Sequence, residues 1–221
     1  KALSVSPYID TYEEGFSGTA SVEDLETAFQ LLHLKMTSPR RDADAFAALK
    51  RQFETAIANQ SAQPQYQFSR LIAERFNLGH PRALPIDSEG IASINLDEVM
   101  RIYTERFANA SDFTFLFVGN LEPNTFRSLV EQYLATLPGN GRTEAARDVG
   151  IERPNGAVVD SVSSGIDPVS QVAVGLHDTY AFSQAHNLDI RTVERALDIR
   201  MQEVIREQES GTYGVGVQAQ F

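Results

Sequence analysis

Phe113-Thr114-Phe115-Leu116-Phe117-Val118-Gly119 is the stretch on which the reading of the fold turns. Aromatic and β-branched residues run through it almost without a polar break, the pattern of a strand covered on both faces. A helix is expected after it, because Phe126, Leu129, Val130, Tyr133 and Leu134 recur at helical spacing before Leu137-Pro138-Gly139 closes the run. Before it, Leu96 to Phe107 reads as another helix, with Val99, Tyr103 and Phe107 on one side. A buried strand between two helices is the first element of the expected architecture.

Further toward the N-terminus, Leu3 to Tyr12 has the composition of a strand, and Gly15, Ser17 and Gly18 read as a turn. Ser21 suits a helix N-cap, with Asp24 three residues on. The helix it opens carries Leu25, Ala28, Phe29, Leu32 and Met36, and Ser38-Pro39 ends it. A second helix is expected from about Asp42 to Asn59 and a third from about Gln65 to Phe76, with Pro64 between them. On the C-terminal side, residues Gly139 to Asn155 hold three Gly, one Pro and mixed charge with little periodicity, and read as a linker. Strands are expected at Ala157–Val162 and Ser170–Leu176, then a helix from about Ile190 to Glu209 stopped by Gly211, then a strand over Tyr213–Phe221. Strands grouped around helix pairs, without strict alternation, indicate an α+β fold rather than a parallel wound sheet.

The composition narrows the function. With 221 residues, 42% hydrophobic and 22% charged, the chain can bury a core. Its net charge of −11 repels phosphate backbones, so nucleic acid is not expected as a partner. It has no cysteine, which excludes disulfides, thiolate metal sites and a cysteine nucleophile. No stretch approaches the ~20 apolar residues of a membrane span. Lys1-Ala2-Leu3-Ser4 is not a signal-peptide opening and reads as the interior of a strand, so a clipped chain is expected.

The four histidines, His33, His80, His177 and His186, are too far apart for His-Glu-x-x-His or His-x-x-Glu-His. His33 reads as a structural histidine on an apolar helix. One segment is more suggestive. Met201 to Val217 combines a helix, a glycine stop and a strand with alternate glycines. The helix is expected to bury Ile190, Val193, Leu197, Met201 and Val204. At ~100° per residue, Arg206 falls on the opposite side. Tyr213, Val215 and Val217 would share one face of the strand, while Gly214 and Gly216 leave the other as bare backbone. Periodicity alone is also compatible with an exposed Arg, a core Tyr and a glycine-rich edge.

Arg206-Glu207-Gln208-Glu209-Ser210-Gly211-Thr212-Tyr213-Gly214-Val215 resembles a segment, R-E-x-x-G-G-x-Y-x-V, in the last domain of pitrilysin/insulinase-type zinc metallopeptidases. Ser210 stands where that segment commonly has glycine. Gly18-Thr19-Ala20-Ser21 through Ser38-Pro39-Arg40-Arg41-Asp42, Asp112 through Gly139, and Ser164-Gly165-Ile166-Asp167-Pro168 resemble further segments of the same family, in the same order. The resemblance implies an α+β peptidase-type domain with an antiparallel-rich sheet packed with helices. It implies that residues 1–138 are the later part of a third, catalytically inactive domain, 139–155 a linker, and 156–221 the opening of a fourth, substrate-contacting domain. Arg206 and Tyr213 would contact the substrate or its transition state, and Gly214 and Gly216 would bind substrate backbone. Zinc and a catalytic glutamate would lie upstream, in an N-terminal catalytic half of the same polypeptide. The isolated segment would bind no metal and be inactive, the substrate would be a peptide or protein, and a periplasmic location is expected. The alternative is a non-catalytic relative serving as scaffold or partner subunit.

Overall fold

The computed structural model describes residues 2–212 and 214–219. The chain divides into two compact units, Lys1–Ala173 and Val174–Phe221.

The first unit opens with a hairpin. Strand β1 (Leu3–Ile9) pairs antiparallel with β2 (Glu14–Ala20), with Leu3 opposite Ala20 and Ile9 opposite Glu14. The reversal sits at Asp10–Glu13, where the Asp10 N–H donates to the Glu13 carbonyl at 2.7 Å. The turn expected at Gly15 to Gly18 is therefore corrected: those residues are strand. Their glycines mark close approach across the hairpin. A Cβ on Gly18 would lie 2.6 Å from the Ser4 carbonyl oxygen, and one on Gly15 3.0 Å from the Tyr8 hydroxyl.

The expected helices form, and side-chain caps set the starts of several. The Ser21 hydroxyl oxygen accepts from Asp24 N at 3.2 Å, capping a single tight turn, Val22–Asp24, that runs into α1 (Leu25–Thr37). Asp42 caps α2 (Ala43–Ser61), and Pro64 sits in the first turn of α3 (Pro64–Phe76), where its missing N–H costs nothing. A short helix, α4 (Ser88–Ser93), escapes the sequence reading. Asp87 caps its start, and Lys50 Nζ donates to the Ala92 and Ile94 carbonyls at its end, at 2.7 and 2.8 Å. Asn95 caps α5 (Leu96–Phe107), and Glu122 caps α6 (Pro123–Leu129) by accepting from Thr125 N at 2.7 Å. Helix α6 continues into one wide turn, Val130–Leu134, where Ala135 N reaches the carbonyl five residues back at 2.9 Å.

Phe29, Met36 and Phe107 are the most deeply buried side chains. Phe117 stacks on Phe29 with ring centroids 5.0 Å apart and meets Phe126 edge-on at 5.3 Å. Phe16 and Tyr103 each lie 4.9 Å from Phe107. His33 is structural, as its sequence position indicates: its Nδ1 lies 2.8 Å from the Tyr133 carbonyl, so that nitrogen carries the proton and donates. The Tyr133 hydroxyl in turn donates to Glu26 and accepts from Gln30.

Phe113 to Gly119 departs from expectation. Among the described residues it pairs with no strand, and only one face is covered: Phe113, Phe115 and Phe117 are half-buried, while Leu116 is 85% and Val118 91% exposed. Aromatic anchoring supplies one face, but a doubly buried strand also needs neighbours along its backbone and a layer over its second face. The strands expected at Ala157–Val162 and Ser170–Leu176 are corrected on the same ground. Neither is strand, and Val159, Val172 and Leu176 are exposed. Residues 139–155 form neither helix nor strand, but they are tied down. Arg153 lies 4.6 Å over the Phe76 ring and donates to Asn77, and the His80 ring bonds the Val149 carbonyl at 3.0 Å.

The second unit is built on α7 (Gln184–Met201), capped by Ser183 and extended by another wide turn, Gln202–Gln208. Its inward side runs through Ile190, Glu194, Asp198 and Gln202, not along the expected apolar stripe; Val193, Leu197 and Met201 are exposed. From the segment 214–219, Val217 N donates to Asp198 on that side at 3.3 Å. Among its described residues that segment is not strand; Tyr213, Gln220 and Phe221 lie outside them. The whole is α+β in class: helix-rich, with a small antiparallel sheet.

Candidate functional site

Of the four residues singled out by sequence, the structure describes Arg206, Gly214 and Gly216; Tyr213 lies outside the described residues. Arg206 sits in the wide turn that prolongs α7. It is exposed, whereas Val204 and Ile205 are half-buried. Its guanidinium makes no hydrogen bond or ion pair with another described residue. Its cationic neighbours are engaged: Arg195 pairs with Asp198 at 3.1 Å and Arg200 with Glu203 at 3.2 Å. An exposed guanidinium on an ordered helix end is available to a carboxylate or carbonyl oxygen.

The helix stops in two hydrogen bonds. Glu209 N donates to the Val204 carbonyl and Gly211 N to the Ile205 carbonyl, each at 2.9 Å. Ser210 lies between them at φ 50, a left-handed conformation that glycine adopts without cost. The position where the chain departs from the family's glycine is thus the one where backbone geometry favours glycine.

Gly214 and Gly216 are exposed, and a Cβ on either would meet nothing within 4 Å. Val215, Val217 and Ala219 alternate with them and are half-buried. Packing among the described residues therefore does not account for glycine at these two positions. The bare edge is open to an extended peptide.

Asp198 is the functional candidate that the sequence reading missed. Its side chain is 15% exposed, and it ties the glycine segment to the helix: Oδ1 accepts from Val217 N at 3.3 Å, and Oδ2 accepts from Gln202 Nε2 and Arg195 at 3.1 Å each. No motif marks an aspartate at this place, since on a helical projection it reads as solvated surface.

Among the described residues, no three His, Asp or Glu side chains converge as a metal would require. His33 and His186 each direct a ring nitrogen to a backbone carbonyl at 2.8 Å, and His80 does so at 3.0 Å. The donor set does not fit zinc.

In fold the chain is similar to a solved protease: it superposes with a TM-score of 0.73 on the crystal structure of the periplasmic protease PqqL from Escherichia coli, at 20% identity, covering 97% of this chain and 24% of that one. A mutant of the ferredoxin protease FusC, solved in complex with Arabidopsis ferredoxin, matches 68% of this chain and 16% of its own, with a TM-score of 0.54 and 18% identity. In sequence the chain is homologous, over nearly its whole length, to the probable zinc proteases PqqL of Haemophilus influenzae and E. coli. It is 24% identical over 220 residues to the first, covering 96% of this chain, and 25% identical over 224 to the second, covering 97%. It spans 23% of the length of each of these relatives. No protein-family profile matches it. Among the described residues, no helix is long and apolar enough to cross a membrane.

Proposed function

We propose that the chain is part of the C-terminal half of a zinc-dependent endopeptidase, forming chamber wall and contacting the substrate, with the zinc ligands and the catalytic glutamate outside these 221 residues. The observation that carries this reading is the alignment with a probable zinc protease through 96% of the chain. Residues 1–138 belong to the third peptidase-like domain of such a protein, 139–155 to a linker and 156–221 to the opening of the fourth. The N-terminal half of the same polypeptide is the partner, and a peptide or protein is the substrate. A periplasmic location accords with the E. coli relative, described as a periplasmic protease; fractionation of cells expressing the native gene tests it.

Within this reading each residue has a task. Arg206 brings positive charge and Tyr213 a phenolic donor to the carbonyl oxygen that gains charge during hydrolysis, an interaction stronger in the transition state than in the ground state. Gly214 and Gly216 admit the substrate backbone by strand addition. Asp198 holds that edge against the helix bearing Arg206. The test uses the full-length protein loaded with zinc and a fluorogenic peptide library. Arg206→Ala and Tyr213→Phe are expected to lower kcat about 10²–10³-fold while changing KM less. Unchanged turnover with a large fall in Tm would make the pair structural. A zinc-loaded wild-type protein that cleaves no peptide would instead support the non-catalytic scaffold.

A further inference from the structure

Two Asn-Gly pairs occur in the chain, Asn140–Gly141 and Asn155–Gly156. At such a pair the glycine's backbone nitrogen can attack the asparagine side-chain carbonyl carbon, because no Cβ on the following residue obstructs it. Both asparagines are exposed, and Gly141 and Gly156 hold φ at 75 and 78, where a larger residue would be strained. The backbone therefore retains glycine at both places, and with it the reactive pair. What differs is the surroundings.

Around Asn140 the chain closes on one hydroxyl. Ser111 Oγ accepts from Asn140 N at 2.9 Å and from Gly141 N at 3.0 Å, which engages both of its lone pairs. A Cβ on Gly139 would lie 2.8 Å from the same oxygen. Ser111 is itself held, since its N–H donates to Asn109 Oδ1 at 3.1 Å and Ala110 N donates to the Pro138 carbonyl at 2.8 Å. The Asn140 side chain is fixed too: its Oδ1 accepts from Asn109 Nδ2 at 2.6 Å and from Arg142 N at 3.0 Å. Asn155 has no such frame. Among the described residues, neither its side chain nor the Gly156 N–H makes a hydrogen bond, and a Cβ on Gly156 would meet nothing within 4 Å.

We propose that Asn155–Gly156 is a site at which the chain modifies itself by deamidation, and that the Ser111 hydroxyl holds Asn140–Gly141 back from the same reaction. The glycine N–H gives its proton to solvent base, and the nitrogen bonds to the asparagine Cγ. The Cγ–Nδ2 bond then breaks, and Nδ2 leaves as ammonia after taking a proton from water. Water opens the remaining succinimide ring at either carbonyl, giving aspartate or isoaspartate. At Asn140 the ring closes only after Gly141 N has left Ser111 and the side chain has left Asn109 and Arg142. Each such bond that must open first slows the reaction by up to about tenfold. At Asn155 the product places a carboxylate, and in isoaspartate an extra main-chain methylene, just beyond the Arg153 that anchors this segment on Phe76.

The test incubates the folded full-length protein in mildly alkaline buffer made with heavy-oxygen water. Conversion during incubation then carries the label, and conversion during digestion does not. Peptide mass spectrometry gives a rate for each asparagine. Asn155 is expected to convert about 10-fold or more faster than Asn140, and unfolding in urea should bring the two rates together. Ser111→Ala should raise the Asn140 rate about 10-fold and leave that of Asn155 unchanged, whereas Ser111→Thr, which keeps the hydroxyl, should hold it low. Equal rates in the folded wild type, an Asn140 rate unmoved by Ser111→Ala, or no conversion at Asn155 would each overturn the proposal. Hydrogen exchange of the unsubstituted protein decides the matter even where Ser111→Ala fails to fold. The Gly141 amide is expected to exchange ~10-fold or more slower than the Gly156 amide, and equal exchange would refute the guard. None of these readouts depends on peptidase activity.

Discussion

Ser210 shows how a single backbone angle turns a sequence departure into a measurable quantity. A side chain held in the left-handed region costs roughly 1–2 kcal/mol, and glycine gives back about 0.5–1 kcal/mol of that through its greater freedom when unfolded. Ser210→Gly is therefore expected to stabilise this helix end by about 0.5–1 kcal/mol, read as slower hydrogen exchange at the Glu209 and Gly211 amides, which close it. Ser210→Val should speed exchange at the same amides, because a β-branched residue tolerates positive φ least. At this scale the exposure of Arg206, Gly214 and Gly216 follows from a spacing visible in one dimension. The sequence was silent about Asp198, whose three partners lie along the helix and across a turn.

Among the elements, the first strand and the helices other than α4 were legible, and the remaining strands were not. Leu96–Phe107 has the predicted bounds because its signals are local: an Asn cap, acidic residues in the first turn and a period of 3.6. The role of Phe113–Gly119 depends on distant pairing, so its apolar run could report its anchoring but not its ladder. The caps can be tested singly. Asn95 Oδ1 accepts from Glu98 N at 2.9 Å, so Asn95→Ala should cost ~1 kcal/mol in denaturant unfolding, with Asn95→Asp close to neutral. The acidic caps set the response to acid. The backbone N–H of Gly90, and then Arg70, hold Asp87 below its usual 3.8, and the backbone N–H groups of Thr125 and Asn124 hold Glu122 below its usual 4.5. The Arg75 guanidinium likewise lowers Asp160. Carboxylates lowered in the folded state add stability that is complete above these usual values and is lost as pH falls through the lowered ones. Urea midpoints should therefore be flat from pH 7 to about 5 and decline below about pH 4, and Glu122→Gln should make that decline shallower.

On the scale of the whole molecule, the order of the motifs carried the resemblance, and the comparison with PqqL bears it out over 97% of the chain. That residues 139–173 group with the helices before them was not legible, since it depends on side chains that reach back along the chain, Arg153 to Phe76 and Asp160 to Arg75. Their grip makes a sharp prediction for limited proteolysis. Arg142 is paired with Glu144 and Arg153 is held on Phe76, whereas Arg147 is exposed in a segment without helix or strand and forms no ion pair with a described residue. Trypsin should cut first after Arg147, giving fragments that mass spectrometry assigns directly. A first cut after Arg142 or Arg153 would show those anchors to be weaker than their geometry indicates.

The wide turn at Val130–Leu134 also bears on how the chain can change over generations. Closing a turn through the carbonyl five residues back, as Ala135 does with Val130, accommodates one residue more than an ordinary helical turn. Loss of one codon here would restore a regular helix instead of breaking one, and the cost would fall on the Tyr133 contacts with His33, Glu26 and Gln30. Single-residue length variation among descendants of this sequence is therefore expected to be tolerated at this turn when Tyr133 and His33 change together, and to be purged from the interior of α5.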